Sequence, residues 1–326
     1  MKIDEKLERV KNNTVEIVTE RELAALLSEK PRPSVYVGYE PSGDIHLGHM
    51  LTVNKLVDMQ QAGFDVTVLL ADLHAYLNGK GTLEEIRKTA EFNKECFIGM
   101  GLDPKNTKFI SGSEIQLERE YFLSVQKMAL ETTLLRARRS MDMIGREEKD
   151  PKVARVMYPI MQVIDMVSLK VDISVGGIDQ RKIHMLARDN LPKLGFKSPV
   201  CVHLPLIHGL DGTDKMSSSR MNFISVDDTP EEINRKVRKA YCPEREIENN
   251  PVLEIYKYYI FKKFERVNVE RSEKFGGDIS FEEYNELESV YKKGELHPQD
   301  LKNTSSRYME EILEPVRKHL SKKGYV

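Results

Sequence analysis

The chain has 326 residues, enough to bury a large core in one large or two ordinary domains. Its 50 Lys and Arg against 52 Asp and Glu leave net charge silent about nucleic acid, so any basic surface must be local. The three cysteines, Cys96, Cys201 and Cys242, lie far apart without CxxC spacing, which argues against a disulfide framework or a zinc knuckle and for a reducing cytoplasm.

The first residues, Met1-Lys2-Ile3-Asp4-Glu5-Lys6, are charged, without the apolar stretch of a signal peptide, and no run is long enough to span a membrane. The expected setting is therefore cytoplasmic. From Ile3 to Ser28, Leu7, Val10, Val15, Val18, Leu23, Leu26 and Leu27 follow helical spacing. Thr19 with Glu22 three residues on reads as a helix start. Pro31-Arg32-Pro33 ends this region.

Val35-Tyr36-Val37-Gly38-Tyr39 reads as a buried strand, Pro41-Ser42-Gly43 as a turn, and a helix begins at about His46 and closes at Gly63. A strand breaking into a helix leaves backbone N–H groups aimed above the sheet, and His46 and His49 stand three apart on the predicted helix. That suits a phosphate. A plain surface pair, or half of a metal site extended by Asp72 and His74, are the other readings.

Val66 to Ala71 is a continuous apolar run like a central parallel strand, followed by polar Asp72, His74, Tyr76 and Asn78. Glu84 to Met100 predicts a helix, and Lys108 to Ser113 a third strand with Glu114 and Gln116 behind it. Leu117 to Glu148 predicts a long helical stretch bearing Arg136, Arg138 and Arg139. The next helix runs through Tyr158, Gln162 and the isolated carboxylate Asp165. The strand Val171–Val175 then opens through Gly176-Gly177 into a helix with Asp179, Gln180, Arg181 and His184. Alternating strands and helices imply an α/β, Rossmann-like parallel sheet with ligands beyond the strands' carboxyl ends. Composition shifts at Thr229-Pro230. The expected domains are 1–228, with a helical insertion at about 117–150, and a smaller, mainly α-helical domain at 229–326.

Lys215-Met216-Ser217-Ser218-Ser219 taken alone is a polar loop. Set after a strand–turn–HxGH unit in a βα frame, it reads as a lid over a triphosphate, with the ammonium and hydroxyls contacting oxygens. HLGH followed by KMSSS resembles the paired signature of class I aminoacyl-tRNA synthetases. YVGYEPSG, LLADLHAYL, YPIMQ, VGGIDQRKIHMLAR, KFGGD and HPQDLKN are similar to the archaeal/eukaryotic tyrosyl-tRNA synthetases, over about residues 35–303.

The resemblance implies a two-step reaction: tyrosine and ATP give tyrosyl-adenylate and pyrophosphate, and tyrosine then passes to the 3′ end of tRNA(Tyr). It implies that Tyr36 and Asp165, otherwise readable as core polar groups, hold the phenolic hydroxyl. Tyr158, Gln162 and Gln180 hold the ammonium, and Leu69, Ala71 and His74 line the pocket. Glu40, Pro41, Gly43, His46, Gly48, His49, Lys215, Met216 and Ser217 meet ATP, and His46, His49, Lys215, Ser217 and Ser218 serve catalysis. Ser218 departs from the usual motif, whose second lysine stands there, so Lys215 alone supplies the cation unless a monovalent ion assists. The implied tRNA contacts are Arg139, Arg181, Phe275, His297 and Asp300. ATP carrying Mg²⁺ is the expected co-substrate, with no tightly held protein metal, and the 117–148 region is the expected homodimer contact. The competing readings are a tryptophanyl-tRNA synthetase, a small nucleotidyltransferase and a non-catalytic tRNA-binding relative.

Overall fold

Short runs of β-branched and aromatic residues build the frame of the computed structural model, which describes residues 1–141 and 152–325. Six strands form one sheet: β1 (Glu16–Val18), β2 (Ser34–Tyr39), β3 (Asp65–Leu70), β4 (Thr107–Ser111), β5 (Ile173–Gly177) and β6 (Val200–Leu204). Their spatial order is β1-β6-β5-β2-β3-β4, parallel throughout except for the antiparallel β1–β6 pair. The chain leaves β2 for β3 and β4 on one side and later returns to β5 and β6 on the other. The β2/β5 junction is thus the switch point of the sheet, where ligands of such folds bind.

Packing contacts divide the chain into two units. The first comprises Met1–Gly43, Thr52–Lys94 and Gly101–Pro205, and the second Asp44–Leu51, Glu95–Met100 and Leu206–Val326. Residues 206–228, expected within the first domain, group with the second unit. The first unit holds the whole sheet. Its apolar core gathers Tyr36, Leu69 and Ala71 with Tyr121, Val125 and Met128 and with the buried side of the helix Val153–Ser168. The second unit carries the helices Pro230–Lys239, Tyr284–Lys293 and Pro298–Lys322 and a hairpin of β7 (Val267–Val269) and β8 (Ile279–Phe281). Thr229 caps the first of these helices, accepting from Glu232 N–H while the Glu232 carboxylate accepts from Thr229 N–H.

Three expectations change. The helical run from Ile3 to Ser28 is two helices, Ile3–Lys11 and Glu20–Glu29, separated by β1, because Ile17-Val18 favours a strand and Thr19 starts the helix afresh as its cap. β6, a strand not expected from the sequence, is buried at all five positions. The long 117–148 helix is instead Arg119–Leu130 and Leu134–Ser140, broken where Thr133 accepts from Arg136 N–H and begins a new helix; residues 142–150 lie outside the described residues. No helix among the described residues is long and apolar enough to cross a membrane.

Candidate active site

One cluster of candidate site residues lies in the core of the first unit. Asp165, 1% exposed on the helix Val153–Ser168, accepts through Oδ1 from Gln116 Nε2 at 2.8 Å and from the Tyr121 hydroxyl at 2.8 Å. Burial pushes its carboxyl above the usual range, against the pull of His74, Gln116 and Tyr121. Gln116 Nε2 also meets His74 Nδ1 at 3.0 Å. An amide nitrogen only donates, so His74 Nδ1 accepts and its hydrogen sits on Nε2. That Nε2 lies 3.7 Å from Asp165 Oδ2, too far for a hydrogen bond.

Both of those atoms are buried without a partner, and so are Gln116 Oε1 and Gln162 Oε1. Buried polar atoms are normally paired. Four unpaired ones, carried by Gln116, by the His74 and Asp165 side chains it bonds, and by a residue one helical turn from Asp165, mark a place for a polar ligand. Gln162 Nε2 donates to Gln180 Oε1 at 3.1 Å, and the Tyr158 ring stands edge-on to His74 at 4.5 Å. Tyr36, 2% exposed on β2, has its phenol pushed well up by burial and then by the nearby Asp165 charge. Gly38 is needed beside it, since a Cβ there would come within 2.7 Å of the Tyr36 hydroxyl. Leu69 and Ala71 are buried at the end of β3. Glu40 accepts from Asn78 and, through its negative charge and a hydrogen bond, raises the Tyr158 phenol further after burial has done so.

Gln116, Tyr121 and Gly38 were missed as site residues. Gln116 gave a faint signal as the polar tail of β4. Tyr121 gave none, because it reads as an ordinary apolar position of its helix.

A separate cluster, carrying the two signatures, belongs to the second unit. His46 precedes the helix Leu47–Gln61 rather than riding on it, and its carbonyl accepts from Met50 N–H at 3.1 Å. Its Nδ1 accepts from Gly48 N–H at 3.1 Å, while His49 Nδ1 accepts from His46 N–H at 3.2 Å. The two rings thus act as a reciprocal cap. Gly48 is required, because a Cβ there would come within 2.9 Å of the His46 ring. Burial first, then His49 and Lys215, push the His46 imidazole down to about 2, and burial pushes His49 down to about 4. Both rings are therefore neutral, and with Nδ1 accepting, each carries its hydrogen on Nε2.

Backbone bonds tie this turn to the segment after the KMSSS loop. Leu47 N–H donates to Ile224 C=O at 3.1 Å, Val226 N–H to Ile45 C=O at 2.9 Å, and the His46 and Phe223 rings lie 5.3 Å apart. The two signatures, distant in sequence, are thereby joined. Asn222, also missed, holds the loop: its Oδ1 accepts from Ser217 N–H at 2.9 Å, and its Nδ2 faces Asp211 Oδ1 at 3.0 Å, Thr213 Oγ1 at 2.9 Å and the Lys215 carbonyl at 3.4 Å. Met216 is buried, its N–H donating to Ile207 C=O, and Ser218 opens a 3-10 turn to Arg220. Among the described residues, no group of three or more His, Cys, Asp or Glu is arranged to hold a metal ion.

Arg139 and Arg181 are exposed in the first unit. In the second, His297 caps the helix Pro298–Lys322, its Nδ1 accepting from Gln299 N–H at 3.1 Å, with Asp300 in the first turn. Phe275 ends the 3-10 turn Glu273–Phe275.

Residues 28–314 match the family described as tRNA synthetases class I (W and Y). The chain belongs to this family. It is 59% identical to a tyrosine–tRNA ligase of Methanopyrus kandleri, covering 98% of this chain and 99% of the relative. It is 58% identical to that of Methanococcoides burtonii, covering 96% and 98%. The crystal structure of tyrosyl-tRNA synthetase from Archaeoglobus fulgidus, complexed with L-tyrosine, superposes with a TM-score of 0.94 at 56% identity, covering 98% of this chain and all of that one. The fold of this class I synthetase is therefore the expected Rossmann-like α/β fold.

Proposed function

We infer that the chain is a tyrosine–tRNA ligase, an ATP-dependent enzyme that makes tyrosyl-adenylate and pyrophosphate and then esterifies tRNA(Tyr). The observation that carries the amino-acid choice is the gap between His74 Nε2 and Asp165 Oδ2, a donor and an acceptor both buried and unpaired. A phenol hydroxyl donates one hydrogen bond and accepts another, so it satisfies both. An indole N–H only donates and strands His74, and phenylalanine strands both. Tyrosyl-tRNA synthetases are themselves the standard instance of such rejection. Gln162 Oε1, with Gln180 and Tyr158, offers acceptors for the ammonium.

Adenylation is in-line attack by the tyrosine carboxylate on the α-phosphorus of ATP, with pyrophosphate leaving. The Nε2–H groups of His46 and His49 donate to the phosphate oxygens as charge grows on them, and their neutrality costs no proton transfer. Lys215 supplies the cation, and Ser217 and Ser218 offer loop hydroxyls or N–H groups. Glu40, Pro41, Gly43, Gly48 and Met216 complete the nucleotide contacts. Mg²⁺ arrives on the triphosphate. Arg139 and Arg181 contact the acceptor stem, and Phe275, His297 and Asp300 the anticodon. We keep 1–228 and 229–326 as the functional domains.

A homodimer is supported by the large apolar side chains left outside on Arg119–Leu130 and Leu134–Ser140: Leu130 is 87% exposed, Leu134 70%, Phe122 60% and Leu135 56%. Three buried free thiols fit a reducing cytoplasm. Amino-acid-dependent ATP–pyrophosphate exchange tests the reading: tyrosine alone drives exchange, and exchange with tryptophan, or with no amino acid, contradicts it.

A further inference from the structure

Apart from the two clusters described above, a line of polar side chains runs through the first unit to its surface. Ser174 Oγ on β5 lies 3.0 Å from His184 Nε2, His184 Nδ1 lies 2.9 Å from His203 Nε2 on β6, and His203 Nδ1 lies 2.8 Å from Glu16 Oε2 on β1. Ser174 and His203 are 0% exposed and His184 1%. The line ends at Glu16, whose oxygens accept from Arg181 Nε at 2.7 Å and Nη2 at 2.9 Å.

The chemistry of the partners fixes every hydrogen. The Glu16 carboxylate, held below the usual range by the Arg181 bond, accepts only, so His203 donates from Nδ1. Burial lowers both imidazoles, His184 to about 3, so each ring carries a single hydrogen. His203 Nε2 must then accept from His184 Nδ1, and His184 Nε2 from the Ser174 hydroxyl. All the bonds point toward Glu16 and polarise one another in the same direction. Register supports this arrangement, since β1 sets Glu16 directly opposite His203.

We propose that Glu16 is a positioning residue for tRNA recognition: it fixes the plane of the Arg181 guanidinium, and the His203–His184–Ser174 line fixes Glu16. A two-point fork through Nε and Nη2 locks the orientation of an otherwise freely rotating side chain and leaves the Nη1 edge for an acceptor on RNA. It also gives β1, a three-residue edge strand, a function beyond closing the sheet. The proposal rests on the reading of Arg181 as an acceptor-stem contact.

The test is steady-state aminoacylation of a tRNA(Tyr) transcript, and of one with its first base pair exchanged, by Glu16→Ala, Glu16→Gln, Arg181→Ala and the Glu16→Ala/Arg181→Ala double variant. Tyrosine-dependent pyrophosphate exchange serves as the folding control for the Glu16 variants. Glu16→Ala is expected to raise KM for tRNA about tenfold and to narrow the preference between transcripts, with exchange unchanged. Glu16→Gln, which keeps one acceptor, is expected to lose less. In the Arg181→Ala background Glu16→Ala is expected to add nothing, because it acts through Arg181. If Arg181→Ala raises KM while Glu16→Ala does not, or if the two losses multiply in the double variant, the positioning role is wrong and the Arg181 reading stands. If Arg181→Ala leaves KM unchanged, the Arg181 reading fails and the positioning role falls with it.

Discussion

In the proposed tyrosine pocket the ties run between side chains: Asp165 to Gln116 and Tyr121, Gln116 to His74, Gln162 to Gln180. At the two signatures they also reach backbone: His46 and His49 accept from main-chain N–H groups, and Asn222 joins Ser217 N–H and the Lys215 carbonyl to the Asp211 and Thr213 side chains. The difference follows from the ligands. A phenol is told from a phenyl ring only by buried donors and acceptors placed at side-chain precision, where an unpaired atom is costly. A phosphate is met by N–H groups and positive charge whatever substrate it belongs to, so a turn that orients two imidazoles and a loop that carries a lysine suffice.

Substitutions should separate the two clusters. The largest effect is expected from His49→Ala, which removes a phosphate donor: adenylation slows roughly a hundred- to a thousandfold while tyrosine affinity holds. Single-turnover rates beside equilibrium tyrosine titrations would show it, and a parallel loss of affinity would contradict separate roles for the two clusters. Asp165→Asn should act in the opposite sense. Tyrosine affinity falls roughly a hundredfold and phenylalanine gains ground on tyrosine in exchange assays. Discrimination kept intact would remove Asp165 from phenol recognition.

Smaller changes sharpen the comparison. Asn222→Ala loosens the loop without touching either substrate in the ground state, and adenylation is expected to fall about tenfold with tyrosine affinity unchanged. The smallest effect is on acid stability. His49 and His184 are depressed in the folded protein to about 4 and about 3, below the ordinary 6.5, so the unfolded chain binds more protons at mildly acid pH. Stability is full above about pH 6.5 and is lost as pH falls toward those folded values. Thermal midpoints at pH 7 and pH 5 should differ, the lower at pH 5, and identical midpoints would contradict the buried neutral rings.

How legible the sequence was depended on whether a residue's role was local. β2, β3 and the helix Leu47–Gln61 were readable because continuous apolar runs and helical spacing are local signals. β1 and β6 were not. Three residues of β1 make too short a run to stand out inside a helical pattern, and what makes them a strand is pairing with β6, far along the chain. His46, Lys215 and Asp165 stood out through their motifs and through isolation among apolar neighbours. Gln116 and Tyr121 stayed hidden, because only the fold brings them to the Asp165 carboxylate.

We propose that the choice of tyrosine, by the Asp165 cluster, is separable from its activation, by the two signatures. Lys215→Ala tests it most directly, in a single-turnover titration that yields the tyrosine dissociation constant and the adenylation rate together. The dissociation constant is expected to stay at its wild-type value while the rate falls on the order of a hundredfold or more. Equal losses in both, or a loss confined to tyrosine binding, would contradict it.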